Sequence, residues 1–254
     1  MVMKLSMVME KIIRMIDIHN HLLFDADDGV KTLEDSIDVL KDLYSYGITD
    51  VILTPHYITG TKYNKTIKDN LIKLKELRNR LELENININL YLGNEIHIDE
   101  DIFYNLKNGI ISTMNGTRYI LVELPMNGEY DGYIELFKDL ISKGCKIILA
   151  HPERYTCYYD DIDFFKELHD MGVLMQVNGP SITGLYGRRA KSMAKRLLKA
   201  KLIDFVGSDI HSSKEKKYDK LDVMEHKIKK YCGKEQANNI LYINFDKVIK
   251  NEDI

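Results

Sequence analysis

The chain has 254 residues, of which 44% are hydrophobic and 30% are charged, and its formal net charge is −3 at pH 7. This composition is typical of a globular protein, and the nearly balanced charge gives no indication of a nucleic-acid partner or of binding to a membrane surface. The longest apolar runs are only a few residues, so we expect a chain that is not inserted in a membrane.

Short apolar strands alternate with amphipathic helices along the chain. Thr32 is expected to cap a first helix, which Gly47 ends. The predicted strands are Ile16–Ile18, Val51–Leu53, Ile86–Leu92, Tyr119–Val122, Lys146–Ala150, Val173–Val177 and Asp204–Gly207. The other predicted helices are Thr66–Glu84, Tyr130–Ser142, Asp160–Asp170 and Tyr186–Ala200. This alternation predicts a parallel sheet with right-handed crossovers.

Polar residues follow nearly every predicted strand. In an α/β barrel the carboxyl ends of all strands meet at one face, so this pattern favours a closed barrel with its site at the C-terminal face. A doubly wound open sheet is the alternative, but it concentrates its site residues at one switch point. We expect one barrel domain over residues 1–254, with residues 1–14 as an N-terminal extension.

Five histidines and four carboxylates stand at or just after these strand ends. They are His19, His21, Asp28, His56, Glu95, Glu123, His151, Asp209 and His211. A single one of them could equally be a helix cap or a turn residue, but a barrel would bring all nine together. The mixed nitrogen and oxygen set suits Mn²⁺, Fe²⁺ or Zn²⁺ rather than Ca²⁺. Neighbouring divalent ions can activate water and hold a phosphate between them.

Arginines near this face are candidates for contacts with phosphate. Arg154, three residues after His151, could bind phosphate oxygens through its planar guanidinium, and the alternative is a surface salt bridge to Glu153 or another acidic neighbour. Arg188 and Arg189 begin a helix with a basic face and could steer an anionic phosphopeptide, although a solvated face on a core-packing helix is the plainer interpretation.

The cysteines exclude one phosphatase mechanism. Cys145, Cys157 and Cys232 are an odd number without metal-ligand spacing, which predicts a reducing, cytoplasmic environment. A thiol-based tyrosine phosphatase needs an arginine six residues after its cysteine, but His151, Asp163 and Asn238 occupy those positions. Any phosphatase chemistry must therefore use another nucleophile.

Seven segments resemble a known family. In chain order they are DIHNHLLFDADDG, LTPHY, GNEI, LVELP, ILAHPERY, QVNGPSITGLYG and VGSDIH. They resemble the polymerase and histidinol phosphatase (PHP) superfamily and, within it, the manganese-dependent tyrosine phosphatases of bacterial capsule and exopolysaccharide operons. The resemblance runs from about Met15 to His211 and is weaker beyond it. It implies a distorted (β/α)₇ TIM-like barrel that holds three divalent metal ions through the nine side chains, with Mn²⁺ as the first choice and Fe or Zn as alternatives.

The resemblance also implies a function. Arg154 would bind the substrate phosphate, and the implied substrate is the phosphorylated C-terminal tyrosine cluster of a bacterial tyrosine autokinase that controls polysaccharide synthesis. One departure concerns the arginine that often follows the last motif; here Ser212–Lys217 stands in its place, and Lys214 could supply charge but not a planar fork. The alternatives are a small-molecule phosphatase of the same superfamily, such as one for histidinol phosphate, and an inactive metal-binding module that docks on a kinase.

Overall fold

The computed structural model describes residues 15–126, 132–159, 161–215 and 220–254. The predicted N-terminal extension, residues 1–14, lies outside the described residues, as do Tyr130, Asp160 and part of Ser212–Lys217. That residues 1–254 form one domain stays a prediction. Within the described ranges, no helix is long and apolar enough to cross a membrane.

Short parallel strands make up the centre of the fold. They are β1 (Met15–Asp17), β2 (Ile48–Leu53), β3 (His56–Tyr57), β4 (Asn89–Leu92), β5 (Glu95–His97), β6 (Tyr119–Glu123), β7 (Lys146–Ala150), β8 (Leu174–Asn178) and β9 (Phe205–Gly207). One sheet has the order β1-β2-β4 and the other the order β3-β5-β6-β7-β8-β9, and every adjacent pair is parallel.

The two sheets together form a barrel of seven strand units. β3 continues β2 after Thr54 and Pro55, and β5 continues β4 after Gly93 and Asn94. A proline has no N–H for a sheet ladder, which accounts for a break at Pro55. The barrel closes where the N–H groups of residues 208 and 209 donate to the His19 carbonyl at 3.1 and 2.8 Å. The predicted distorted (β/α)₇ barrel is therefore confirmed.

Helices cover the outside of the barrel. They are α1 (Leu33–Ser45), α2 (Ile67–Leu83), α3 (Ile102–Lys107), α4 (Tyr133–Ser142), α5 (Ile162–Asp170), α6 (Gly179–Thr183), α7 (Gly187–Lys199), α8 (Leu221–Cys232), α9 (Lys234–Asn238) and α10 (Asn244–Lys250). The predicted cap is confirmed, because the Thr32 side chain accepts the N–H of Asp35 at 3.1 Å. Thr66 and Asp69 form a reciprocal capping box at the start of α2.

Several elements differ from the sequence prediction, and three of them have a local explanation. The strand expected from Ile86 begins only at Asn89, because the N–H of Ile86 donates to the Leu81 carbonyl and completes the turn that ends α2. The short helices α3 and α6 were not predicted. Helices of five or six residues have too few turns to produce an apolar period.

The interior of the barrel is apolar and its N-terminal end is closed. Ile18, Ile52, Leu121 and Ile148 pack together inside the strands. Phe245 and Val248 of α10 belong to the same cluster. The predicted ligands lie at the opposite end of the barrel, where the strands end.

Candidate metal centre

All nine predicted ligands lie at the C-terminal face of the barrel. His19 and His21 follow β1, His56 and Glu95 begin β3 and β5, and Glu123 ends β6. The rest follow strands or lie in loops: Asp28 in the β1–α1 loop, His151 after β7, and Asp209 and His211 after β9.

Seven of these side chains form three overlapping groups. The groups are His21–Asp28–His56–His211, His19–His21–Glu95 and His56–Glu95–Glu123, and within each group the ligand atoms lie within 4.8 Å of one another. The remaining two lie beside them. His151 Nε2 is 2.8 Å from Glu95 Oε1, and Asp209 Oδ1 is 3.5 Å from His21 Nε2. The structure thus brings the whole predicted set together, and its groups of His, Asp and Glu could hold metal ions.

The site is buried on one side and open on the other. His19, His21, Glu95 and Asp209 are almost completely buried. Asp28 is the most accessible member, with 46% of its side chain exposed, and His211 beside it has 27% exposed. A substrate could therefore reach the groups from the Asp28 and His211 side.

Burial and the charges of neighbouring groups shift the pKa values of the acids in the site in opposite directions. Burial would raise the pKa of Glu95 and Asp209, but the surrounding histidines outweigh it and hold both well below the usual range. Burial raises the pKa of Glu123 well above its usual value, and repulsion from Glu95 and Asp209 adds to the shift. The site therefore concentrates negative charge that a cation would balance.

Three acceptor atoms meet at the centre of the site. His21 Nδ1 donates to Asp27 Oδ2 at 2.6 Å and His19 Nδ1 donates to Gln176 Oε1 at 2.7 Å. In its neutral form each ring therefore turns its Nε2 lone pair inward; the two Nε2 atoms are 3.3 Å apart and both lie 3.2 Å from Glu95 Oε2. Glu95 Oε2 accepts no hydrogen bond from any described residue.

This convergence fits a metal ion. Burial disfavours the imidazolium form of His21, but the Asp27 carboxylate and its neighbours raise the pKa of His21 well above its usual value. The electrostatic environment that attracts a proton to this point would also attract a divalent cation. Two imidazole nitrogens and a carboxylate oxygen are ordinary ligands for a transition metal.

Asp27 and two amide side chains orient the predicted ligands. The Asp27 carboxylate accepts from His21 Nδ1 and from the N–H of His56 at 2.7 Å, so it fixes two ligands at once. Gln176 accepts from His19 and donates to Asn178, which in turn donates to Asp209 Oδ2 at 2.7 Å. Neither amide was predicted from the sequence, although both lie in the C-terminal half of β8, the one strand with no predicted ligand.

Tyr155 connects two neighbouring strand ends. Its side chain is fully buried; its hydroxyl accepts the N–H of Leu124 at 3.0 Å and donates to the Ala150 carbonyl at 2.8 Å. Those backbone groups adjoin Glu123 and His151. The phenol therefore positions two predicted ligands through the main chain.

Arg154 lies directly beside the ligand groups. Its Nη1 donates to Asp209 Oδ2 at 2.6 Å, and one third of its side chain is exposed. Of the alternative salt bridges, the one to another acidic neighbour is present, with Asp209 as the partner. Glu153 is not that partner, because it is buried and accepts the N–H of Asn178. The guanidinium carbon also lies 5.2 Å from the centroid of the Tyr186 ring.

The other basic candidates lie away from the groups. Arg188 and Arg189 are exposed in the first turn of α7, and the guanidinium carbon of Arg189 is 5.9 Å from the Tyr159 ring centroid. Lys214 is exposed in the segment after His211. No hydrogen bond or ion pair between described residues joins these three side chains to the nine, so their substrate contacts stay a prediction.

Comparison with known proteins identifies the family. Residues 15–250 match the family model described as capsular polysaccharide synthesis, CpsB/CapC. The chain belongs to the CpsB/CapC family. It is 38% identical to CapC of Staphylococcus aureus over 199 residues, which are 78% of this chain and 77% of that protein. It is 31% identical over 242 residues to the tyrosine-protein phosphatase YwqE of Bacillus subtilis, covering 94% of this chain and 93% of YwqE.

Solved structures agree with this CpsB/CapC assignment. A structure from a study of YwqE from Bacillus subtilis and CpsB from Streptococcus pneumoniae, described as unique metal-dependent tyrosine phosphatases, superposes with a TM-score of 0.88 at 30% identity. The match covers 94% of this chain and 96% of that chain. A histidinol phosphate phosphatase from Lactococcus lactis has a TM-score of 0.57 at 15% identity and shares the fold. The resemblance inferred from the sequence motifs is therefore confirmed.

Proposed function

We propose that this CpsB/CapC-family chain is a metal-dependent protein-tyrosine phosphatase. The observation that carries the proposal is the convergence of the His19 and His21 Nε2 atoms on Glu95 Oε2, with an arginine at the edge of the same site. The relatives named tyrosine-protein phosphatases support the choice of phosphotyrosine over a small-molecule phosphate.

The nine side chains at the strand ends would hold three divalent ions, with Mn²⁺ as the first choice and Fe or Zn as alternatives. When bound, these ions would supply Lewis-acid stabilisation of the phosphoryl oxygens and would acidify a water to serve as nucleophile. Three divalent ions carry six positive charges against the four carboxylates of the set, which leaves a net charge of about +2. That balance suits a phosphate dianion.

The residues around the ligands have separate roles in this proposal. Arg154 binds phosphate oxygens, where charge develops as the phosphoryl group is transferred. Asp27 and Gln176 hold the rings of His21 and His19 with their Nε2 atoms inward. The leaving tyrosine phenolate has a pKa of about 10, so it needs less help from a general acid than an alkoxide would. We assign no residue to that role.

The substrate we propose is the phosphorylated C-terminal tyrosine cluster of a bacterial tyrosine kinase. Its dephosphorylation in the cytoplasm would regulate capsular or extracellular polysaccharide synthesis. The family description, capsular polysaccharide synthesis, supports this context. Arg188, Arg189 and Lys214 would contribute to attraction of the acidic tail.

The test combines metal analysis of the purified chain with hydrolysis assays. We expect bound divalent metal, hydrolysis of a phosphotyrosine peptide that a chelator abolishes, and much slower hydrolysis of histidinol phosphate. His21→Ala should remove activity and lower the metal content, whereas His226→Ala, at an exposed histidine of α8, should change neither. A preference for histidinol phosphate would refute the substrate, and the absence of any metal-dependent hydrolysis would favour a kinase-docking module without activity.

A further inference from the structure

A cavity on the flank of the barrel lies between α6, α7 and α8, outside the metal centre. It has a volume of about 260 Å³. Its lining consists of Ile182, Arg188, Lys191, Ser192, Lys195 and Tyr231. Half of this lining is cationic and none of it is acidic. We call it the α7–α8 cavity.

Among the residues that the structure describes, no carboxylate pairs with the cations of the α7–α8 cavity. Arg188, Lys191 and Lys195 make no ion pair with any described residue. Between residues 184 and 201 the chain has basic side chains but no acidic ones. Repulsion between such like charges costs free energy unless an anion is bound or solvent screens it.

A further lysine adds to this positive charge. Lys227 of α8 donates to the Ile182 carbonyl at 3.0 Å, at the edge of the same cavity. Burial lowers the pKa of Lys227, and the positive charges of Lys191 and Lys220 add to the shift. The surroundings of the cavity are therefore more cationic than its lining alone.

The cationic side chains form a row along one face of α7. Residues 188, 191 and 195 are spaced three and four apart, so they share a helix face and span about 10 Å along the axis. The stem of Lys191 passes close to Gly184: a Cβ at that glycine, whose φ is +104°, would lie 3.1 Å from Lys191 Cδ. Ser192 and Tyr231 add hydroxyl groups that can donate to anion oxygens.

The row begins two residues after a tyrosine that lies beside Arg154. Tyr186, which precedes α7, has its ring centroid 5.2 Å from the guanidinium carbon of Arg154. Arg188 follows two residues later in the first turn of the helix. An extended polypeptide advances about 3.3 Å per residue, so about three residues would span the row.

We propose that the α7–α8 cavity docks a second phosphotyrosine of the same polypeptide whose first phosphotyrosine enters the metal centre. This inference rests on the proposed function. Charge-assisted hydrogen bonds from a guanidinium, ammonium groups and hydroxyls are the usual means of holding such an anion outside a catalytic centre. The cavity would make the enzyme prefer tails with several negative charges.

The test compares peptides with one and two phosphotyrosines. The second phosphotyrosine is placed about three to seven residues from the first, a reach of about 10–23 Å in extended chain. In Lys191→Gln/Lys195→Gln we expect KM for the doubly phosphorylated peptide to rise about tenfold, as loss of charge-assisted contacts predicts. KM for the singly phosphorylated peptide and kcat/KM for p-nitrophenyl phosphate should stay within about twofold, because the metal centre is untouched.

A matched variant controls for overall charge. Lys68→Gln/Lys75→Gln removes two exposed lysines from α2 and should leave all three substrates unaffected. An unchanged KM for the doubly phosphorylated peptide in the α7 variant would overturn the inference, and so would an equal loss with all three substrates. If the proposed function were wrong, the unmodified protein would hydrolyse none of the three substrates. In that event, direct binding of the doubly phosphorylated peptide to the two variants would still test the cavity.

Discussion

Removal of a single buried oxygen tests how the strand ends hold the metal centre. In Tyr155→Phe the ring remains in its fully buried position, but the N–H of Leu124 loses its acceptor and the Ala150 carbonyl loses a donor. A buried group left without a partner costs about 1–3 kcal/mol. We expect a loss of about 2–4 kcal/mol in the free energy of unfolding, because a carbonyl with other partners loses less than an N–H with none.

The same change should affect the site itself. Leu124 follows Glu123 and Ala150 precedes His151, so relaxation of the two backbone groups would move two predicted ligands. Changes to residues that orient metal ligands typically weaken metal binding by about tenfold or more. We therefore expect weaker metal binding in Tyr155→Phe in addition to the lower stability.

Urea denaturation in the presence of a chelator separates the two effects. It measures the free energy of unfolding without the contribution of bound metal, and metal titration of the same variant then measures affinity. Tyr104→Phe, at a residue that is 61% exposed, is the matched control and should change stability by less than about 0.5 kcal/mol. If Tyr155→Phe were as stable as Tyr104→Phe and bound metal normally, the positioning role of the phenol would be refuted.

Three further predictions concern the surroundings of the predicted ligands. Asp27→Asn should weaken metal binding by about 10- to 100-fold in a metal titration, because the amide is a poorer acceptor for the His21 ring and the His56 N–H. Arg154→Ala should lower kcat/KM for a phosphotyrosine peptide by about 10- to 100-fold with unchanged metal content; loss of metal would instead indicate a structural role. Burial raises the pKa of Glu153 from 4.5 to about 7, so this group contributes full stability below pH 4.5 and loses it as the pH rises towards 7. In metal-free protein, Glu153→Gln should therefore be more stable than the unmodified chain by about 3 kcal/mol at pH 8, relative to their difference at pH 4.5. Urea denaturation of both proteins at pH 4.5 and pH 8 measures this, and an equal pH dependence of the two would contradict it.

The architecture could be predicted because its signals are local. Amphipathic spacing in α1, α2 and α7 and apolar runs in β6 and β7 each occupy a short window of sequence. Two strand units are each divided into two short strands, β2 with β3 and β4 with β5, and this division could not be predicted from local signals. It depends on Pro55 interrupting one ladder and on Gly93, where a Cβ would lie 2.7 Å from Met114 Sδ, a contact between parts of the chain that are distant in sequence.

The predicted ligands came from a simple rule, that charged residues at successive strand ends meet in a barrel. Of two adjacent acids in the β1–α1 loop, Asp28 was among the predicted ligands and Asp27 was not. In the structure Asp27 is buried against His21, while Asp28 faces the open side near His56 and His211. The same rule did not predict Gln176 and Asn178, because amides are uncommon metal ligands. Their role also depends on distant partners: Gln176 contacts His19, which is 157 residues away, and Asn178 contacts Asp209, which is 31 residues away.

The contact between Arg154 and Asp209 joins the phosphate-binding candidate to a predicted metal ligand. Asp209 Oδ2 accepts from both Arg154 and Asn178, at 2.6 and 2.7 Å, while Oδ1 lies 3.5 Å from His21 Nε2. Because Asn178 holds the carboxylate independently, loss of the arginine alone should leave Oδ1 facing the histidines. Metal retention in Arg154→Ala therefore depends on Asn178, and removal of both donors should lower metal affinity where removal of the arginine alone does not.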